Sequence, residues 1–301
     1  MKCSCEGCGH VFDAEPAATH KVICGDSREP ATWAALCERE RERVAIVVTS
    51  PPYASQRKYD ETSGFKPIRP EDYSAWWEPV QALVAQYLAP DGSFFLNIKE
   101  HCEDGQRSLY VKDLVLAHVR KWGWHFVDEL CWVKPGYPGE NLGRFKNGWE
   151  PIFHFTRAPG HKHRPDAVAH ESDDAMVYEP ERRQSMSGVG WHQKAPALTE
   201  RGLARPSNVL HMNAGKTASA ISHSAAYPVG LPTFFILAFS DEGDIVLDPF
   251  GGSFTTLIAA SKHGRRARIM EISPAYCDVG RKRYSAWARG HDLDPGPGSL
   301  E

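Results

Sequence analysis

Residues 44–53 read VAIVVTSPPY. The aliphatic run, flanked by Arg43 and Thr49, has no polar face, so it predicts a strand buried on both sides, the kind found inside a parallel sheet. The run does not end in a soft turn. Two adjacent prolines fix φ and remove two backbone donors, which makes a rigid lip with an aromatic tip at the strand's carboxyl end.

Working outward, ATWAALCERERER (31–43) has helical spacing, and HKVICGDS (20–27) reads as a short strand ending in a Gly-Asp turn. Together they predict a strand–helix–strand unit. Downstream, a polar stretch covers 54–70. Helices are then predicted over 71–88 and 110–122, with strands over 93–99 and 126–134. Residues 158–208 hold many His, Pro, Ser and charged residues without a clear period, and predict an insertion or small lobe. Order resumes with a helix at 231–240, a strand at DIVLDPF (244–250), a helix at 254–264, a strand at 266–272 and a last helix at 273–290. The alternation predicts a doubly wound α/β fold.

Composition bounds the rest. A chain of 301 residues, 42% of them hydrophobic, can bury a full core. No apolar run is long enough to span a bilayer, and MKCSCEGCGHVFDAEP lacks a signal-peptide core. The expectation is a soluble cytoplasmic protein with no membrane partner. Scattered cysteines fit reduced thiols better than a disulfide framework. The formal net charge of −3 gives no global nucleic-acid footprint, although basic clusters occur locally, as at Lys262 to Arg268. Near the N-terminus, Cys5-x-x-Cys8 with Cys3 and His10 is similar to one knuckle of a zinc ribbon. A structural site wants four ligands, usually as two separated pairs. The second pair is not evident, so structural zinc and loose thiols both stay open.

In an open α/β sheet, ligands bind beyond the carboxyl ends of the strands. TSPPY is one segment there. DIVLDPFGGSFTT (244–256) is the other, where Gly251 and Gly252 allow close approach of a ligand. Glu271 lies 23 residues beyond Asp248, at the end of the following predicted strand, a place from which an acid accepts hydrogen bonds from ribose hydroxyls. Neither G-x-G-x-x-G nor G-x-x-x-x-G-K-[ST] is present, so a nucleoside is indicated and a pyrophosphate or ATP cradle is not. Alone, each segment also reads as an ordinary capped turn.

TSPPY (49–53) together with DPFGGSFTT (248–256) resembles the amino-methyltransferases of DNA, in the motif order of their β group. LCWVKPGYPGENLGRFKNGWEPIFHFTR (130–157) is similar to the W-x-K … N-x-x-E-x-I-x-x-F block of that family. HSAAYPVGLPTFFILAFS (223–240) is similar to its H-x-A-x-[FY]-P-x-x-L segment. The resemblance covers most of residues 20–285 and leaves out 158–208, where the family carries its target-recognition part. It implies a mostly parallel, seven-stranded, Rossmann-like methyltransferase sheet. The expected layout is an N-terminal arm (1–20), a catalytic half (21–157), a target-recognition insertion (158–208), a cofactor half (209–288) and a tail (289–301).

The resemblance further implies transfer of a methyl group from S-adenosyl-L-methionine to an exocyclic base nitrogen. Ser50 Oγ and the Pro51 carbonyl accept the amino hydrogens, Pro52 stiffens the lip, and Tyr53 stacks on the base. Asp26 sits near the adenine, Glu271 at the ribose, and His223 and Pro228 under the methionine moiety. Asp248, Pro249, Phe250, Gly252, Ser253 and Thr255 form the cofactor turn. The base must leave the duplex, since its amino group is otherwise paired. Double-stranded DNA is the implied partner, a companion restriction endonuclease fits the same picture, and a monomer and a homodimer are both open. Family members with Ser at position 50 act more often on cytosine N4 than on adenine N6, so cytosine is expected. An RNA or free-base substrate is the alternative within the same chemistry. Trp132 and Trp149 read as core, and His223 as a structural hydrogen-bonder. Phe254 departs from the family: it stands where the last glycine of D-P-F-x-G-S-G-T-T is usual. A ring there is expected to shift the loop or to narrow the cofactor pocket, and it motivates a second reading, a DNA-binding homologue without turnover.

Overall fold

The computed structural model describes residues 2–4, 11–13, 20–37, 43–54, 65–103, 105–134, 143, 145–171, 202–213 and 227–290. In chain order the elements begin with an antiparallel hairpin, β1 (Lys2–Ser4) and β2 (Val11–Asp13). Then come β3 (Lys21–Cys24), α1 (Pro30–Leu36), β4 (Val44–Thr49), α2 (Tyr73–Tyr87) and β5 (Leu88–Asn97). A short pair, β6 (Cys102–Glu103) and β7 (Gln106–Arg107), precedes α3 (Tyr110–Arg120), β8 (His125–Val133) and β9 (Trp149–Thr156). Next are a second short pair, β10 (His170–Glu171) with β11 (Leu203–Ala204), and β12 (Val209–His211). The chain continues through α4 (Gly230–Phe239), β13 (Ile245–Asp248), α5 (Thr255–Lys262), β14 (Arg266–Glu271) and α6 (Pro274–Ala288).

One sheet of eight strands organises these elements, in the order β12-β8-β9-β5-β4-β13-β14-β3. All neighbours run parallel except β9, which is antiparallel to both β5 and β8. Every residue of β4 is buried, as expected of a strand with helices on both faces. One face carries a core built on Trp33 of α1, Trp77 of α2 and Leu114 of α3; the other is built on Phe235 of α4, Leu257 of α5 and Tyr284 of α6. The fold is thus doubly wound and mostly parallel.

Three expectations are corrected. The sheet has eight strands, not seven, because β12 adds a parallel edge beside β8. The segments β3 and β4 do not form a neighbouring strand–helix–strand unit, because β13 and β14, which come from the far end of the chain, lie between them. Residues 149–156 form a central strand although Gly148 and Pro151 punctuate that stretch; six of its eight positions are buried.

Among the described residues, no helix is long and apolar enough to cross a membrane. Cys3 lies in the N-terminal hairpin, while Cys5, Cys8 and His10 lie outside the described residues. Within the described residues no cluster of three or more His, Cys, Asp or Glu could hold a metal ion.

Candidate active site

Four adjacent parallel strands, β4, β13, β14 and β3, deliver the expected site residues side by side at their carboxyl ends. From β4 comes the lip Ser50-Pro51-Pro52-Tyr53. From β13 comes Asp248-Pro249-Phe250-Gly251-Gly252, from β14 Glu271, and from β3 the Gly25-Asp26 turn. This is the edge where an open α/β sheet binds its ligand.

The lip is braced from behind. The Tyr73 hydroxyl donates to the Pro52 carbonyl at 2.7 Å, and the Tyr110 hydroxyl, which donates to the Lys99 carbonyl at 2.9 Å, accepts from Ala54 N–H at 3.4 Å. Ser50 and Tyr53 stay partly accessible while Pro51 is buried. The Tyr53 hydroxyl reaches Glu150 Oε2 at 3.2 Å and Asn97 Oδ1 at 3.5 Å.

Asp248 ties the lip to the glycine turn. Its Oδ1 accepts from Thr49 Oγ1 at 2.6 Å and from Phe250 N–H at 3.0 Å; its Oδ2 accepts from Thr256 Oγ1 at 2.7 Å and from the Tyr227 hydroxyl at 3.0 Å. Burial pushes the Asp248 carboxyl above its ordinary pKa, and these donors work against that rise. The Tyr227 phenol is driven far upward by burial and by the neighbouring Asp248 charge. Both Asp248 oxygens are thus occupied by protein donors.

The turn itself is tight. Gly251 N–H donates to the Met270 carbonyl at 2.7 Å, and a Cβ on Gly251 would lie 2.2 Å from Ile269 Cγ2, so no larger residue fits. Gly252 N–H donates to Glu271 Oε2 at 2.8 Å, and Ser273 N–H to Glu271 Oε1 at 2.9 Å. Burial pushes the Glu271 carboxyl up to about 7. A carboxylate offers roughly four lone-pair sites, so acceptor capacity remains for ligand hydroxyls. Across from it, Asp26 accepts from Arg28 Nη2 at 2.5 Å and from Arg28 N–H at 2.9 Å. Burial pushes the Asp26 carboxyl up, but hydrogen bonds from Arg28 hold it below its ordinary range. Phe250 stacks on Trp77 and packs beside Trp76, placing an aromatic surface between lip and turn.

Ser253 and Thr255 turn toward the interior, where Arg283 of α6 donates to Ser253 Oγ at 3.1 Å and to Thr255 Oγ1 at 2.6 Å. Phe254 keeps the left-handed backbone a glycine would adopt, with φ of 63°. Its ring is 0% exposed and packs against Gly280 of α6, where an added Cβ would come within 2.4 Å of the ring. The ring therefore points into the core, and the expected narrowing of the pocket does not occur. Pro228 is half-buried just before α4, and His223 lies outside the described residues. Trp132 is core at 2% exposure; Trp149, expected in the core, stands 43% exposed at the start of β9.

Sequence reasoning missed Thr49, Tyr227, Thr256 and Arg283 as parts of this site. Thr49 and Tyr227 lie inside the quoted motifs, but nothing in their spacing shows that both converge on one carboxylate. An acid at the end of β14, a close-approach turn and an aromatic surface, without a phosphate-binding glycine pattern, suit a nucleoside cofactor carrying no phosphate.

A family model described as DNA methylase matches residues 44–282. Type II methyltransferase M.PvuII of Proteus hauseri is 25% identical over 91% of this chain and 87% of its own length. A solved structure of PvuII DNA methyltransferase (cytosine-N4-specific) shares the fold with a TM-score of 0.65 at 23% identity, covering 91% of this chain and 90% of that one. Type II beta methyltransferase M.BslI of a Bacillus strain is 26% identical over 87% of this chain, which spans only 27% of that longer protein. A DNA modification methylase of Thermus thermophilus, solved in complex with S-adenosyl-L-methionine, gives a TM-score of 0.56 at 22% identity, covering 91% of this chain and 96% of that one.

Proposed function

The chain belongs to the DNA methylase family, and from that membership we propose that it methylates cytosine N4 in double-stranded DNA, using S-adenosyl-L-methionine. The observation that carries the proposal is the adjacency of lip and turn. Strands β4 and β13 are parallel neighbours, paired at Val47 and Leu247, and Thr49 bonds Asp248 just where each strand ends. Donor and acceptor sites are thereby held on one rigid edge, as near-linear methyl transfer requires.

The cofactor would be held by Glu271 at its ribose, Asp26 near its adenine, the Phe250–Gly252 turn, and Pro228 with His223 beneath its methionine part. When bound it supplies an electrophilic methyl group. A base amino nitrogen is a poor nucleophile because its lone pair is delocalised into the ring. Ser50 Oγ and the Pro51 carbonyl accept its two hydrogens, draw the nitrogen toward a tetrahedral form and aim its lone pair. Tyr53 stacks on the flipped base. No strong base is needed before transfer, because the amino proton becomes acidic only afterwards. Residues 158–208 contribute target recognition.

Two observations favour cytosine: Ser50 takes the place of the aspartate commoner among adenine enzymes, and the PvuII enzyme is titled cytosine-N4-specific. The test is mass spectrometry of nucleosides from DNA treated with purified protein and labelled cofactor. Label in N4-methylcytosine is expected. Label only in N6-methyladenine overturns the cytosine assignment, and label in neither overturns the DNA substrate.

A further inference from the structure

The aromatic tip of the lip is held by a buried charge pair on the hairpin of β8 and β9. Tyr53 donates to Glu150 Oε2 at 3.2 Å, since a carboxylate can only accept. Glu150, the second residue of β9, engages Lys134 with its other oxygen; the two side chains are only 16% and 15% exposed. The Lys134 ammonium lies 4.0 Å from the Trp132 ring centroid, and the Trp132 indole N–H donates to the Met212 carbonyl at 3.0 Å. Charges withdrawn from water in this way persist when each compensates the other. The pair therefore forms a fixed post, and Tyr53 is moored to it.

The Tyr53 hydroxyl lies on the ring's own long axis. Anchoring it fixes the direction in which the ring points, while packing around the lip sets the plane. Asn97 supports the same hydroxyl at 3.5 Å and is itself held by donating to the Pro151 carbonyl at 3.0 Å, again on β9. We propose that Glu150 is a positioning residue for the transfer reaction: ion-paired to Lys134, it locks Tyr53 in the pose that stacks on the flipped base. The inference rests on the reading of the lip as the base-binding element. Neither Glu150 nor Lys134 belongs to the turn that would hold the cofactor, so their loss should slow the chemistry and spare donor binding.

The test is a double-mutant cycle of Tyr53→Phe and Glu150→Gln in the full chain. The substrate is plasmid DNA from a methylation-deficient host with tritiated S-adenosyl-L-methionine, and cofactor affinity is followed by calorimetry. Each single change should lower kcat about tenfold, the effect of one charge-assisted hydrogen bond, with the cofactor Kd within about twofold of wild type. The double variant should be no slower than the slower single one, because both changes remove the same bond. Losses that multiply, or wild-type kcat in either single variant, overturn the inference. Should Glu150→Gln fail to fold, Tyr53→Phe decides alone, since it leaves the ion pair intact: an unchanged kcat refutes the mooring. A wild-type protein that binds cofactor yet labels no DNA refutes the proposed function and this inference with it. Labelled DNA with multiplying losses refutes only the inference.

Discussion

Thr49 Oγ1 donates a 2.6 Å hydrogen bond to Asp248 Oδ1, joining the last residue of β4 to the last residue of β13. Thr49 is 0% and Asp248 1% exposed, so no water can replace the bond. Thr49→Val keeps the shape and strips one donor from a buried carboxylate. The expected loss is about 1.5–3 kcal/mol of stability in urea unfolding, the worth of a hydrogen bond to a charged group. Because Ser50 follows directly, kcat should fall as well. Wild-type stability in Thr49→Val would show that the other Asp248 donors compensate and that the joint is redundant.

Ser50 tests the division of labour between lip and turn. Ser50→Ala removes one acceptor for the amino hydrogens and should cost on the order of a hundredfold in kcat, by analogy with deleting one preorganised group at a developing charge. Cofactor affinity should stay near wild type, since Ser50 acts on the base. Equal losses in cofactor affinity and turnover, measured by calorimetry and by label transfer, would assign the lip to the cofactor instead.

Glu271 gives the site a pH signature. Burial raises its carboxyl from an ordinary 4.5 to about 7. With the folded pKa above the unfolded one, the folded state holds the extra proton between those values. Its contribution to stability is therefore full below pH 4.5 and is lost as pH rises through about 7. Ribose hydroxyls donate to the ionised form and favour it, so cofactor binding should release a proton near neutral pH and tighten as pH rises toward 7 and just above. Calorimetry in two buffers of different ionisation enthalpy reads the proton directly. Proton uptake, or affinity that weakens with rising pH, would contradict the assignment. Glu271→Ala should weaken cofactor binding by about tenfold or more.

Much of this was legible in the sequence, for identifiable reasons. The apolar run of β4 and the clean periods of α2, α3 and α4 each report local burial. The lip, the turn, Glu271 and Asp26 all fall at strand ends, and strand ends are visible as breaks in those runs. Sheet order is not local. That β13 and β14 separate β3 from β4 depends on pairing between ends of the chain some 200 residues apart. For the same reason Tyr227 and Arg283 stayed hidden: each acts through a partner 21 to 30 residues away in sequence, with no spacing rule to betray it. The β9 strand was obscured by Pro151, which sequence rules confine to edges or bulges, yet it lies centrally between β5 and β8.

Phe254 was the feature that argued most strongly against function, and its structural partner changes the argument. The residue adopts the left-handed φ of a glycine, which costs an ordinary L-residue roughly 1–2 kcal/mol. Its ring fills the space left by the missing side chain of Gly280 on α6. Phe254→Gly should relieve the backbone but empty a core site, for a net loss of about 1–4 kcal/mol given typical values for deleting a buried phenylalanine. In the wild type, Gly280→Ala drives a methyl group into the ring and should destabilise, although alanine normally improves a helix over glycine by about 1 kcal/mol. In the Phe254→Gly background that clash is gone, so Gly280→Ala should become stabilising. A sign reversal between the two backgrounds, measured by urea unfolding, is the expected result. The same sign in both would mean that ring and glycine do not share one space, and the idea that Phe254 points away from the cofactor pocket would fall with it.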